Sequence, residues 1–132
     1  LCAMIKAGIP VDHHNLIRDV DTDVLAEQIK RREFTAIFCC NDRLALNTIQ
    51  GLARAGLTIA RDYSIIGFDE WDDSLNKAAG LTTIRQDFQE VGRNSFYLLH
   101  SAIQGVLTGN HTKMISGVSI IRRTSVATCE EY

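Results

Sequence analysis

Apolar residues in this chain come in short uninterrupted runs that end abruptly on acidic or amide residues. Ala36-Ile37-Phe38-Cys39-Cys40 stops at Asn41-Asp42, and Ser64-Ile65-Ile66-Gly67-Phe68 stops at Asp69-Glu70. With nothing polar in its middle, each run is expected to be a short strand buried on both faces. The segment between them carries Ala45, Ile49, Leu52 and Ala53 at helical spacing, an apolar stripe for one helix. A helix that joins two strands as a right-handed crossover makes them parallel, so both polar ends open on one edge of the sheet. That edge is where open α/β sheets take their ligands. Asn41 and Asp69, far apart in sequence, are thereby expected side by side at the lip of one crevice.

The same alternation runs through the rest of the chain. Leu1 to Gly8 reads as the end of a helix stopped at Gly8, Ile9-Pro10 as a turn, and Asn15 to Val20 as a short strand. Asp21, Thr22 and Asp23 start a helix whose Val24, Leu25 and Ile29 share a face ahead of the basic Lys30-Arg31-Arg32. Either Asn41 or Asp42 caps the next helix; Asp42 can cap alone, which leaves Asn41 to face the crevice. Gly56 ends that helix. Polar and small residues over 69–80 predict a loop or one short helical turn. Leu81 to Arg85 is β-branched and extended, and Asp87 with Glu90 resembles a capping box. The helix that follows has Val91, Phe96, Leu99, Ile103 and Val106 on its apolar side and closes at Gly105 and Gly109. Ile115 to Ile121 is the last strand, with Arg122-Arg123 as its solvated end. Strand and helix alternate throughout, which predicts an α/β domain with a mainly parallel sheet flanked by helices.

Composition narrows the function classes. The 132 residues suffice for one domain with a modest core, and a net charge of −2 gives this segment no electrostatic reason to bind nucleic acid or an anionic membrane. No run is long enough to span a membrane and no signal peptide is visible. The start on Leu1 reads as part of a longer protein. Cys39 and Cys40 alternate to opposite faces and no C-x-x-C occurs, so the cysteines read as free, mostly buried thiols of a reducing cytosol. His13-His14 has no third ligand at suitable spacing and reads as solvent-exposed; no metal is expected. The acidic stretch Asp69 to Asp73 lacks the Lys or Ser/Thr partner of a metal or phospho-acceptor site. G-x-S-x-G, P-loop, G-x-G-x-x-G and H-E-x-x-H are all missing, so neither catalysis nor a cofactor is expected.

Thr35 to Asp42 with Ala45-Leu46, then Gly56-Leu57, Ser64 to Glu70, Leu81 to Gln86, Gly92 and Ile121 to Ser125 follow one another in an order that spans nearly the whole chain. Together they resemble the sensor domain of the lactose/galactose repressor (LacI/GalR) family of bacterial transcription regulators. The resemblance implies a type I periplasmic-binding-protein-like fold, two α/β subdomains with an effector in the cleft between them. Residues 1–132 then form a partial sensor domain: the C-terminal subdomain, a crossover strand and the last helix, which packs on the partner subdomain. The DNA-binding helix-turn-helix and most of the N-terminal subdomain fall outside it. The implied function is that of a cytoplasmic repressor that binds a small sugar or related metabolite, dimerises through the helix at 42–55, and touches operator DNA only through the absent N-terminal domain.

The family also implies roles for single residues. The position like Asn41 hydrogen-bonds the effector, that like Asp69 binds sugar hydroxyls or a purine, and Gln86 lies in the crossover that faces the cleft. Two readings stand for Phe88, a cleft residue or a staple for the following helix, and two for Trp71, stacking on a sugar ring or closing its loop on the core. The chain departs from the pattern at Val20, where many members carry an aromatic residue that stacks on the ligand, and the family's effector-binding arginine lies upstream of residue 1. The alternative reading keeps the fold and changes the job, to a periplasmic or membrane-tethered sugar-binding protein of a transport or sensing system. Half a cleft is expected to bind weakly or not at all. The apolar residues of the last helix, parted from their subdomain, are expected to fold back, pair with another copy or stay exposed, and so to favour a dimer or higher oligomer.

Overall fold

The computed structural model describes residues 2–10, 16–107, 109–113, 115 and 117–128; His13-His14 and Asn15 lie outside the described residues. Its elements are α1 (Cys2–Lys6), α2 (Thr22–Lys30), β1 (Ala36–Phe38), α3 (Asp42–Arg54), β2 (Ser64–Asp69), α4 (Asp73–Ala78), β3 (Thr82–Gln86), α5 (Phe88–Ile103) and β4 (Val118–Ile121). The helix starts are set by side-chain caps. Asp21, Asn41, Asp72 and Asp87 each have extended backbone or a nearby conformation and accept from the first free N–H groups of α2, α3, α4 and α5. The polar stretch 69–80 therefore contains a six-residue helix. Gly56, with φ +82, supplies the left-handed residue that stops α3.

The sheet has the order β1-β2-β3-β4. β1 and β3 both run parallel to β2, with Phe38 level with Ile66 and Ile66 level with Thr82, while β4 returns antiparallel beside β3. The expected parallel pair is present, and its two polar ends lie on the same edge.

α2 and α3 cover one face of this sheet. Leu25, Ala26 and Ile29 of α2 and Ala45 and Leu52 of α3 are buried with Tyr63, Ile65 and Leu81 in one cluster. α2 and α3 approach closely because position 51 is glycine: a Cβ there would stand 2.4 Å from Thr22 Cγ2. The opposite face meets none of these helices and is left partly open. Phe38 is 62% exposed, Ile120 is exposed, and Phe38 touches Phe68 edge-to-face at a centroid distance of 6.4 Å. The expectation of strands buried on both faces is therefore corrected. Only the Ile37–Ile65 face meets helices, and β1 is cut to three residues at the sheet edge.

Other expectations also change. Residues 16–20 form no strand, and the last strand starts at Val118 rather than Ile115. α5 buries none of its residues; Phe96, Tyr97, Leu99 and Ile103 face outward, with Phe96 stacked on His100. Of the three outcomes for that apolar side, the single chain shows exposure. Among the described residues no helix is long and apolar enough to cross a membrane.

Just past β1, Cys39 is buried and Cys40 exposed. Burial pushes the Cys39 thiol up to about 11. In the folded protein a thiol reagent at pH 8 is expected to label Cys40 and spare Cys39 until denaturant is added; peptide mapping by mass spectrometry checks this. The sign of the pH effect follows. The unfolded thiol ionises first, so the folded state holds more protons and stability falls as pH rises above about 9.

Candidate functional site

The site grows from the edge where β1 and β2 end. Asn41 follows β1 and caps α3, its Oδ1 accepting from the Leu44 N–H at 2.8 Å. Asp42, the residue expected to cap, is instead fully buried. Its carboxylate accepts from the Glu70 N–H at 2.8 Å, from Asn76 Nδ2 at 2.7 Å and from the Thr83 hydroxyl. The cap thus falls to Asn41, and Asp42 is released from it. Three donors from β2's end, α4 and β3 converge on one acid, whereas α3 needs only one acceptor that Asn supplies as well as Asp. Gly67 makes room for it: a Cβ at that position would stand 2.2 Å from Asp42 Oδ1.

Asp69 closes β2, and Gln86 closes β3 beside it. Gln86 Nε2 donates to Asp69 Oδ1 at 2.7 Å, so the fold joins two of the five candidate residues directly. A carboxylate has about four lone-pair sites, so Asp69 retains acceptor capacity for hydroxyl donors. Asn41 stands at the same edge, linked to it through its neighbour: Asp42 holds the amide of the residue after Asp69. Trp71 and Phe88 are exposed on the segments leaving β2 and β3. Trp71 does not close its loop on the core, and Phe88 begins α5.

Asp69 and Glu70 have φ of +108° and +56°, a region that non-glycine residues occupy at a cost of about 1–3 kcal/mol each. The turn is held from below. The Glu70 side chain is 1% exposed and pairs with Arg123, whose own side chain is 10% exposed. Arg123 also donates to the Leu81 carbonyl and to Asp73, each at 2.7 Å. Its hydrogen bond with Glu70 is the main reason its pKa is raised above the ordinary arginine value. The expected solvated end of the last strand is therefore corrected: Arg123 is drawn in by two carboxylates. Asp42, Glu70, Asn76 and Arg123 escape a local reading of sequence because each is explained by partners dozens of positions away. One signal was present, in the hydroxyls of Thr82-Thr83 at the start of β3. Among the described residues no group of three or more His, Cys, Asp or Glu is arranged to hold a metal.

Comparison with known proteins gives a match to the family of periplasmic binding protein-like domains over residues 3–126. The transcriptional repressor PurR of Vibrio atlanticus (strain LGP32) is 32% identical over 96% of this chain and 39% of its own length. The repressor CytR of Escherichia coli (strain K12) is 38% identical over 70% of this chain and 27% of its own. A LacI family transcriptional regulator from Enterococcus faecium, crystallised with bound ribose, superposes with a TM-score of 0.66 at 31% identity, over 98% of this chain and 49% of that one. The chain spans less than half the length of each of these relatives.

Proposed function

The chain belongs to the periplasmic binding protein-like domain family, with LacI-family repressors as homologues, and from that premise we propose that it is part of the effector-sensing domain of a transcriptional repressor. Its effector is a small sugar or related polyol-bearing metabolite, and binding shifts a conformational equilibrium that sets operator affinity. The observation that carries this reading is the Asp69–Gln86 pair at the strand-end edge, a carboxylate already oriented by an amide and suited to accept hydroxyls. Asn41 is the neighbouring donor, and the exposed Trp71 and Phe88 supply apolar surface for a sugar ring. The exposed side of α5 and the crossover strand before it meet the other subdomain, outside residues 1–132. The exposed side of α3, with Arg43, Asn47 and Gln50, forms the homodimer interface. Operator DNA is contacted through a separate N-terminal domain, the protein works in the cytoplasm, and it catalyses no reaction.

The test is calorimetric titration of the full-length protein with D-ribose, other aldoses and nucleosides, paired with operator retention on filters. One compound is expected to bind and to change operator affinity at least about fivefold. Binding with no change in operator affinity would point to a solute-binding protein instead, and no binding by any compound would sink the assignment.

A further inference from the structure

The turn at the end of β2 is the strained point of the site, and one of its restraints, beside Asp42, Asn76 and Arg85, comes from near the far end of the chain. Two successive non-glycine residues, Asp69 and Glu70, hold positive φ there. The direction of the Asp69 carboxylate depends on that backbone, because a change of sign in φ swings Cβ and everything beyond it. Asp42 grips the turn by its peptide, through the Glu70 N–H. Arg123 grips it by the side chain: Nη1 lies 3.2 Å from Glu70 Oε2, and Nη2 meets Oε1. The same two nitrogens are anchored elsewhere as well, Nη1 on the Leu81 carbonyl and Nη2 on Asp73 at the start of α4. Asn76 Nδ2 adds a bond to Glu70 Oε2 at 3.1 Å and also holds Asp42.

Buried ion pairs of this kind add little net stability over apolar residues of the same volume, because desolvating both charges offsets their attraction. They do restrict geometry, since a guanidinium fork admits few arrangements of a carboxylate. The charged pair lies one residue from the Asp69–Gln86 hydrogen bond and makes no contact of its own with either of those side chains among the described bonds.

We propose that Arg123, acting through Glu70, is a positioning residue that holds the Asp69 carboxylate in the direction where Gln86 meets it, and thereby sets effector affinity. The proposal rests on the reading of Asp69 as an effector acceptor. It makes the residue just past β4 part of the specificity of a site formed by β2 and β3.

The test uses the full-length protein with Arg123→Met, Arg123→Lys and Glu70→Gln, D-ribose as the calorimetric probe, and NMR of the Glu70 amide and the Gln86 side-chain amide. Arg123→Met is expected to keep a cooperative melt, to exchange the Glu70 amide at least about tenfold faster, to move the Gln86 side-chain resonances, and to weaken ribose binding about tenfold. Arg123→Lys is expected to fall between wild type and Arg123→Met. In an Asp69→Ala background the Arg123→Met change is expected to have no further effect on affinity, because nothing remains to be positioned. Unmoved Glu70 and Gln86 signals, or an equal loss of affinity with and without Asp69, would overturn the proposal. Should wild type bind no ribose, the reading of the site for that sugar fails separately, and the two NMR signals still decide the positioning role. Should Arg123→Met not fold, Arg123→Lys and Glu70→Gln carry the same measurements.

Discussion

Asp42→Ala is expected to destabilise the chain by about 3–5 kcal/mol, the cost typical of stripping a buried charged group from its partners. The carboxylate is fully buried and collects donors from the Glu70 peptide, the Asn76 amide and the Thr83 hydroxyl. Alanine leaves all three donors facing a void that Gly67, with no side chain, does nothing to fill. Asp42→Asn is expected to cost less than Asp42→Ala, since its Oδ1 can still accept from the Glu70 N–H and Asn76 Nδ2 while its amide nitrogen donates to the Thr83 hydroxyl. Urea denaturation with the midpoint and slope compared against wild type checks both variants. A domain of this size has about 5–15 kcal/mol in total, so the loss is a large share. An Asp42→Ala protein within about 1 kcal/mol of wild type would mean the three donors find other partners or water.

Asp69→Ala in the full-length protein is expected to weaken effector binding about tenfold or more while leaving the melting behaviour close to wild type. A charge-assisted hydrogen bond contributes about 1.5–3 kcal/mol, and each 1.4 kcal/mol is a factor of ten. The substitution also frees Gln86, whose side-chain amide is oriented by Asp69 Oδ1 at 2.7 Å. Asp69→Asn is the sharper comparison, since it keeps the shape and removes the charge. Calorimetry on both variants, with the compound that binds wild type, provides the measurement; unchanged affinity in Asp69→Ala would remove that carboxylate from the site.

The contrast between these two aspartates marks what a sequence reading reaches. Asp69 was legible because it ends an apolar run, and a parallel crossover forces such ends onto one edge. The parallel pairing of β1 with β2 follows from the same pattern. Asp42 was misassigned because Asn and Asp cap helices equally well, and the choice between them is made by donors at positions 70, 76 and 83. Arg123 was misjudged for a related reason. A basic pair after a strand is usually solvated, and it takes Glu70 and Asp73, 53 and 50 positions upstream, to draw Arg123 inward. The runs at 36–40 and 64–68 were read as doubly buried because periodicity reports how apolar a strand is, not whether two layers are present to cover it. Here α2 and α3 cover one face, and α5 covers none.

The antiparallel return of β4 has a mechanical consequence. The chain leaves the sheet for α5 at Gln86 and comes back at Val118, and these two residues are paired neighbours. Whatever α5 belongs to is therefore tethered at two points about 4.8 Å apart. Such a body turns readily about the line through its tethers and resists turning about any other. That line runs across the strands at Gln86, the residue that grips Asp69. A turn of α5 about that line would therefore act first on the carboxylate's partner, as a door whose hinge pin also works the latch.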